Sequence, residues 1–452
     1  MTEAIEQEKD TDRLQALRDA LQEDHLPRAQ ELINDMHPAE IAVLLESLPG
    51  PERITAWELV SPELDGEVLT HVNENVRATL IREMESHELV AATEGLDTDD
   101  LADLLAEMPD EVIQHILNTM DAQHRQRLEA VLSYPEDTAG GLMNVDTITV
   151  REDITLDVVL RYLRWHGEIP ETTDNLMVVD REGKYLGLLS LTDLLTRTPD
   201  LSVSEVMIRD VEGINAATPV SEVAHLFERR DLISAPVVGD DGKLLGRITI
   251  DDVVDVIRDE ADHSVLSMAG LSEEEDLFAP AVTTIRRRAV WLGVNLVTAL
   301  LASSVIDLFN ATIEQLVALA VLMPIVASMG GIAGSQTLTL VIRGMAQGRV
   351  GSSNARRLLN KELAVGLLNG ALWAVIIAAT AMLWFQNSGI GFIIGAAIVI
   401  NLAAAAATGA TLPHVLRRLG MDPALAGPVI LTTVTDVVGF FSFLGLATLF
   451  LI

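Results

Sequence analysis

Long apolar segments alternate with short polar connections in the C-terminal part of the sequence, after Arg288. Each segment is near or above the roughly 20 apolar residues that a helix needs to cross a bilayer. The five segments are Ala289–Ile306, Leu316–Ile342, Leu363–Phe385, Ile390–Leu412 and Ala424–Leu451. The pattern therefore predicts a five-helix transmembrane domain over residues 284–452.

Basic residues flank alternate ends of these segments. Arg286–Arg288 precede the first segment, five basic residues from Arg343 to Lys361 fill the second connection, and Arg417 and Arg418 lie in the fourth. The first and third connections contain neither Lys nor Arg. Because positive charge is retained on the cytoplasmic side, we expect a cytoplasmic N-terminus and a periplasmic or extracellular C-terminus.

The first part of the sequence has apolar positions at short helical spacing, interrupted by prolines such as Pro38 and Pro109. This predicts an acidic all-α N-domain over residues 1–134, built as a stack of short helices. Asp99 and Asp103 stand four residues apart on one face of a helix. We interpret that face either as a solvated acidic surface or as a site where a cation bridges carboxylates.

An internal repeat follows, over residues 135–258, with copies at about 137–199 and 200–258. Both copies read as strand, Gly-Lys turn, strand and helix, which predicts an α/β module. Three residue pairs lie 59 positions apart: Gly183 and Gly242, Gly187 and Gly246, and Asp193 and Asp252. The repeat resembles a pair of CBS motifs, which either bind adenine nucleotides, sense ions or serve as a ligand-free scaffold.

A connecting helix is predicted within residues 253–283, between the repeat and the first apolar segment. Asp252, Asp255 and Asp259 share one of its faces, at i, i+3 and i+7. Repelling acids on a connecting helix make physical sense if a cation neutralises them in one state of the protein.

Charge divides the chain sharply. The formal net charge is −36, yet the part from Thr284 onward has ten basic and five acidic residues, so residues 1–283 carry −41. Because residues 1–283 are strongly acidic, we do not expect them to bind nucleic acid or anionic lipid through their charge. The absence of cysteine excludes disulfides and thiolate metal sites, and the polar, acidic N-terminus shows no signal peptide.

Asp436 is the only charged residue between Ala424 and Ile452. A carboxylate at membrane depth is costly and rarely faces lipid, so it normally lines a polar cavity. Thr432, Thr433 and Thr435 lie beside it. We predict a cation site here; the alternative is a buried acid hydrogen-bonded to a neighbouring helix.

The second apolar segment contains a glycine-rich stretch, Gly330–Gln336. Gly330 and Gly334 form a small-xxx-small pair that favours close helix packing, or the glycines expose backbone carbonyls to a pore, where Gln336, Thr337 and Thr339 add oxygen atoms. Five spans are few for enclosing a pathway, so a symmetric dimer is expected to place two Asp436 side chains near one axis.

Four motifs in this order resemble the MgtE-type magnesium channels. They are Ala139–Met143 at the start of the repeat, Gly330–Gln336, Arg417–Gly420 with Asp422–Leu425, and Thr435–Gly439. The resemblance covers essentially the whole chain. It implies a multidomain membrane protein with a helical N-domain, an α/β CBS pair, a connecting or plug helix and a five-helix transmembrane domain.

The resemblance also implies a homodimer whose pore is lined by the second and fifth spans. Asp436 matches the central pore acid and Asp422 an acid at the cytosolic mouth. The implied magnesium-binding acids of the soluble half are Asp99, Asp103, Asp231, Asp252, Asp255 and Glu260. The expected pore-lining residues are Gly330, Gly331, Ile332, Gly334, Gln336, Thr432 and Thr435. Asp193 matches a residue near the family's ATP site.

Several positions depart from the family pattern. Ile332 stands where the family has a gating Asn, and Gly427 or Pro428 stands at a second one. His263 and Ser264 replace acids near the end of the plug helix. Asn175 and Leu232 replace the aromatic residues expected to hold adenine, so the sequence gives ATP little support.

The predicted function is a Mg²⁺-selective channel for magnesium uptake across the inner membrane, closed by cytosolic Mg²⁺ at the acidic soluble domains. Mg²⁺ is then both substrate and regulator, and the partners are a second copy and membrane lipid, with no nucleic acid and no enzymatic activity. The alternative is a coupled secondary transporter of divalent cations such as Mg²⁺ or Co²⁺, with Asp436 carrying a proton. A membrane-anchored nucleotide sensor is a third class, disfavoured by the acid in the last span.

Overall fold

The computed structural model describes residues 13, 15–21, 23, 25–120, 122–167, 169–170, 172–272, 276–351 and 353–452, without the side chains of 110, 119, 122–124 and 127. The chain divides into two compact units. Unit 1 comprises Met1–Ala261 and Glu274–Pro280, and unit 2 comprises Asp262–Glu273 and Ala281–Ile452. Each unit is described by itself below.

Unit 1 begins with a stack of short helices, as the spacing of apolar positions predicts. The helices are α1 Leu26–Asn34, α2 Pro38–Glu46, α3 Gly50–Trp57, α4 Asp65–His71, α5 Glu74–Glu83, α6 Ser86–Ala92, α7 Thr98–Ala106, α8 Asp110–Thr119 and α9 Ala122–Val131. The prolines mark helix starts: Pro38 is the first residue of α2 and Pro109 the N-cap of α8. Proline suits the first turn because the N–H it lacks has no partner there.

A buried ion pair holds the segment that precedes the first span against this stack. Arg53 is 2% exposed and donates to both carboxylate oxygens of Asp276, at 2.8 and 2.9 Å. It also donates to the carbonyls of Leu45 and Leu48. Burial alone would raise the pKa of Asp276, but the hydrogen bonds from Arg53 hold it below its ordinary value.

The predicted repeat folds as two matching three-stranded sheets. The first contains β1 Thr149–Arg151, β2 Asn175–Val179 and β3 Tyr185–Ser190, and the second contains β4 Ile214–Asn215, β5 Ser234–Val238 and β6 Leu244–Thr249. In each, a parallel pair is followed by an antiparallel pair. The β2–β3 and β5–β6 hairpins start and end 59 residues apart, which confirms the α/β repeat.

Helices complete the two copies and lead out of them. They are α10 Leu156–His166, α11 Leu191–Thr196, α12 Val203–Val206, α13 Val220–Arg230 and α14 Ile250–Met268. The last is the connecting helix. It begins directly after β6, three residues before the predicted start, and ends well short of residue 283.

The described residues of unit 2 contain five helices long and apolar enough to cross a membrane, as predicted. They are α15 Ala281–Asp307, α17 Ala318–Ala346, α18 Ala355–Phe385, α19 Ser388–Arg418 and α20 Pro423–Leu451, with a short helix α16 Asn310–Gln315 after the first. Helix α19 is central: it packs against α17, α18 and α20. Its buried face is rich in small residues such as Gly395, Ala405 and Gly409, which allow close helix approach.

Candidate ion groove and acidic cluster

A groove of about 740 Å³ runs along unit 2 between α17 and α20. Its walls combine small residues with hydroxyl, amide and carboxylate oxygens. The lining residues are Ala327, Ser328, Gly331, Ile332, Ser335, Gln336, Thr339, Thr432 and Asp436. The spacings of four on each helix, such as Thr432 to Asp436, place these residues on one face.

Among the residues that the structure describes, Asp436 is the only acid that lines this groove. It is partly exposed, and its carboxylate has no hydrogen bond or ion pair with any residue that the structure describes. The alternative of an acid hydrogen-bonded to a neighbouring helix is therefore not what the structure shows. Glu362 of α18 provides a contrast, since it is 4% exposed and pairs with Lys361 and the hydroxyl of Thr337.

Gly331, Ile332, Gln336 and Thr432 lie on the groove as expected for pore-lining residues. Ile332 is 57% exposed.

Three other expected pore-lining residues are buried between helices instead. A Cβ on Gly330 would lie 2.3 Å from Asn401, and one on Gly334 would lie 2.8 Å from Leu431. Thr435 is fully buried and donates to the carbonyl of Thr432 at 3.0 Å. Helix α17 continues unbroken through the glycines, so they expose no carbonyls and pack helices closely.

Sequence reasoning missed Ser328 and Ser335, which line the groove. The i+4 spacing of Gly331, Ser335 and Thr339 would have found one of them. Thr337 was expected to add an oxygen, but it lies on the opposite side of α17 and donates to Glu362 at 3.2 Å.

Asp422 is the N-cap of α20. Its carboxylate accepts from the backbone N–H groups of Ala424 and Leu425 at 2.9 and 3.0 Å, which satisfies the first turn. The ring Nε2 of His263, on α14, lies 3.4 Å from the same carboxylate. The departure from the family pattern at His263 therefore falls on a direct contact with the predicted mouth acid.

A second group of acids lies in unit 1, where α7 and α14 begin. Burial and the nearby carboxylates of Asp252, Asp100 and Asp97 raise the pKa of Asp99 to about 8. Burial and the charge of Asp251 raise the pKa of Asp252 to about 7, although it accepts a hydrogen bond from the Thr249 hydroxyl.

The Oδ1 atom of Asp99 is buried, without a hydrogen-bond partner among the described residues. We call these residues the acidic cluster: Asp97, Asp99, Asp100, Asp251 and Asp252. Within the described part of the chain, no three Asp, Glu or His side chains already form a closed metal site. The cluster thus offers excess negative charge that a cation would relieve.

Two other acids predicted to bind metal, Asp103 and Asp255, lie outside the acidic cluster. Asp103 is exposed on α7, near Arg77, Glu107 and Glu136. Asp255 is exposed, lies 3.3 Å from Arg258 and is near enough to Asp100 to raise the pKa of that carboxyl.

Three further predicted site residues lie elsewhere on the helices of unit 1. Asp231 ends α13 in a left-handed conformation, with φ of 51°. Asp193 lies in the first turn of α11 and pairs with Arg197 at 2.9 Å. Glu260 is partly buried on α14.

Comparison with known proteins decides the family. Family models match residues 36–137 as the MgtE intracellular N domain, 139–199 and 203–259 as CBS domains, and 323–446 as a divalent cation transporter domain. The magnesium transporter MgtE of Thermus thermophilus is 33% identical over 441 residues, which cover 96% of this chain and 98% of the relative. The chain belongs to the MgtE family.

A second MgtE protein and a solved MgtE domain are also similar to this chain. The magnesium transporter MgtE of Bacillus subtilis is 28% identical over 422 residues, covering 93% of this chain and 94% of the relative. A crystal structure of the cytosolic domain of the Mg²⁺ channel MgtE in complex with ATP is 34% identical, with a TM-score of 0.49, and covers 54% of this chain and 99% of that chain.

Membership confirms the predicted architecture and the broad class. The chain is a multi-pass membrane protein of a magnesium transporter family, with a helical N-domain, a CBS pair and a helical membrane domain. It is a transport protein rather than an enzyme.

Proposed function

We propose that this MgtE protein is a homodimeric channel of the inner membrane that takes up Mg²⁺ and is closed by cytosolic Mg²⁺. The observation that carries the proposal is the unpaired carboxylate of Asp436 in a groove lined by neutral oxygens. A membrane carboxylate without a protein partner needs a cation or water. Magnesium is the cation carried by relatives that match nearly the whole chain.

The groove suits a hydrated ion. Mg²⁺ prefers oxygen ligands and gives up its water reluctantly, so hydroxyl and amide groups hold it through its water shell. Ser335, Gln336 and Thr432 supply such groups around Asp436. The groove is open along one side of the single chain, and a second copy of α17 and α20 would close it and bring a second Asp436 to the ion.

The orientation follows from the connections between spans. Their basic residues support a cytosolic N-terminus and a cytosolic unit 1, because positive charge is retained on that side. The −41 charge of residues 1–283 then faces the compartment into which Mg²⁺ flows.

Gating rests on the acidic cluster. Without Mg²⁺, Asp99 and Asp252 repel each other; with Mg²⁺ bound between them, α7 and α14 are held together. A ligand shifts such an equilibrium only through its tighter binding to one state, so Mg²⁺ binds the closed state better.

Helix α14 transmits this change, because it carries Asp252 in its first turn and His263 farther along, against Asp422 at the start of α20. Asp255 and Glu260 lie on α14 between these positions and supply weaker Mg²⁺ sites. Asp103 and Asp231 complete the proposed cytosolic set, and a nucleotide at Asp193 is a secondary proposal.

The test is Mg²⁺ flux into proteoliposomes with no counter-ion and no proton gradient. Wild-type protein is expected to conduct, and Asp436→Ala to abolish flux while the dimer still assembles. The matched control is Asp307→Ala, which removes an exposed acid at the end of α15, outside the groove. Flux that requires a counter-ion would indicate coupled transport, and wild-type flux in Asp436→Ala would overturn the proposal.

A further inference from the structure

Asn401 is a fully buried amide in the middle of the central helix α19. Its Nδ2 donates to the backbone carbonyl of Val326, on α17, at 2.9 Å. Its Oδ1 has no hydrogen-bond partner among the described residues. An incompletely satisfied amide between apolar helices costs stability, so packing alone does not explain why this position is polar.

Two glycines on different helices form the slot that holds the amide. A Cβ on Gly330 of α17 would lie 2.3 Å from Nδ2, and a Cβ on Gly439 of α20 would lie 2.7 Å from it. Any larger residue at either position would have to displace the amide or the helix. The Asn401 side chain therefore fixes how closely α17 and α20 approach α19.

The slot adjoins the groove. Gly331 follows Gly330 and lines the groove, and Asp436 is one helical turn before Gly439 on α20. The two helices that line the groove thus contact the same amide through glycines close to their groove-lining residues. A change at Asn401 would move both walls without touching any lining atom.

We infer that Asn401 is a positioning residue that sets the width of the groove at Asp436 and thereby the discrimination between Mg²⁺ and the larger Ca²⁺. Selectivity between these ions depends on cavity size and on the rigidity of the ligands. The hydrogen bond from Asn401 to Val326 makes the groove wall rigid, and the close fit of the amide against the two glycines sets the width of the groove. The inference rests on the proposed function, since it requires the groove to conduct.

The experiment measures Mg²⁺ and Ca²⁺ fluxes of the full chain in proteoliposomes and reports their ratio, which does not depend on how much protein is active. Asn401→Leu keeps roughly the side-chain size but removes the donor, and Gly439→Ala places a methyl group in the slot. The matched control is Gly445→Ala on the same helix, where a Cβ would meet only the Phe309 ring, at 3.8 Å.

Asn401→Leu and Gly439→Ala are expected to lower the Mg²⁺/Ca²⁺ flux ratio by about tenfold, the effect typical of losing a group that orients ion ligands. Gly445→Ala is expected to keep the wild-type ratio. An unchanged ratio in both slot variants would overturn the inference, as would a changed ratio in the control. If neither slot variant folds while the control does, Asn401 has a purely structural role and the inference is also overturned.

The same flux measurements on wild-type and Asp436→Ala proteins distinguish failure of this inference from failure of the proposed function. Absence of wild-type flux, or flux that is independent of Asp436, would refute the function itself. Wild-type flux that depends on Asp436, combined with unchanged ratios in the slot variants, would refute only the role of Asn401.

Discussion

The groove and the acidic cluster use the same chemical group in opposite surroundings. Asp436 is a single carboxylate among neutral oxygens, with no other charged residue among the described residues that line the groove. Asp99 and Asp252 are crowded by further carboxylates, and burial with this crowding raises their pKa values. A single acid holds a cation weakly enough to release it, whereas a crowded cluster is stabilised by keeping one. The first arrangement suits passage and the second suits sensing.

Asp276 sharpens the contrast, because it is an acid of unit 1 that has a fixed cation. Hydrogen bonds from Arg53 offset the effect of burial and lower its pKa. Burial and neighbouring carboxylates instead raise the pKa of Asp99. Arg53 thus neutralises the carboxylate of Asp276 permanently. We propose that Mg²⁺ neutralises the carboxylate of Asp99 reversibly.

The largest expected effect follows deletion of residues 1–134, which removes Asp99 but leaves the groove intact. The truncated protein is expected to conduct Mg²⁺ and to lose most of its closure at high internal Mg²⁺. Flux measured against internal Mg²⁺ concentration checks this. Inhibition identical to that of the full chain would show that the N-domain acids are only a solvated surface.

Arg53→Met is expected to destabilise unit 1 by about 3–5 kcal/mol, because it leaves the carboxylate of Asp276 without its cation. The loss should be the same with and without Mg²⁺, since the Arg53 pair lies outside the acidic cluster. Thermal and denaturant unfolding of the full chain measure it. Recovery of stability on adding Mg²⁺ would mean that the two regions are not independent.

The pH dependence of stability tests the crowding in the cluster. The folded pKa values of Asp99 and Asp252 lie near 8 and 7, above the ordinary value of 3.8. The folded state therefore binds more protons, and this contribution lowers the free energy of unfolding as pH rises from about 4 to about 8.

In metal-free protein, the Asp99→Asn/Asp252→Asn double variant is expected to be more stable than wild type at pH 8, with the difference shrinking toward pH 4. Mg²⁺ should close the difference at pH 8, because it neutralises the same carboxylates. If the free energies of unfolding of the two proteins depend on pH in the same way, and Mg²⁺ changes neither, the proposed cluster is contradicted.

The smallest expected effect is that of Ile332→Asn. Ile332 is an exposed apolar residue of the groove, and apolar constrictions gate by dewetting. An amide there is expected to raise basal leak or alter closure, with the Mg²⁺/Ca²⁺ flux ratio unchanged. A shift in that ratio with normal gating would place Ile332 in the selectivity filter instead.

Much of the fold is predictable because its signals are local. The apolar length of each span, the hairpins 59 residues apart and the prolines at helix starts depend on residues close in sequence. Part of the groove is predictable as well, because Gly331, Ile332 and Gln336 share a segment recognised by its motif.

Contacts between distant segments are not predictable in the same way. Helical spacing shows which residues share a face but not which neighbour that face meets, so Gly330 and Gly334 could equally have lined a pore. Arg53 and Asp276 are 223 residues apart, and no pattern in either segment indicates their pairing. The contact of His263 with Asp422 likewise depends on how α14 packs against the start of α20.

Single-channel recording of three proteins over a range of internal Mg²⁺ concentrations tests the division between passage and sensing most directly. The proteins are wild type, Asp436→Asn and the Asp99→Asn/Asp252→Asn double variant. We predict that Asp436→Asn loses Mg²⁺ current at every internal concentration, whereas the double variant keeps the wild-type unitary current and stays open at high internal Mg²⁺. A double variant that closes like wild type, or an Asp436→Asn protein that still carries Mg²⁺ current, would contradict the account.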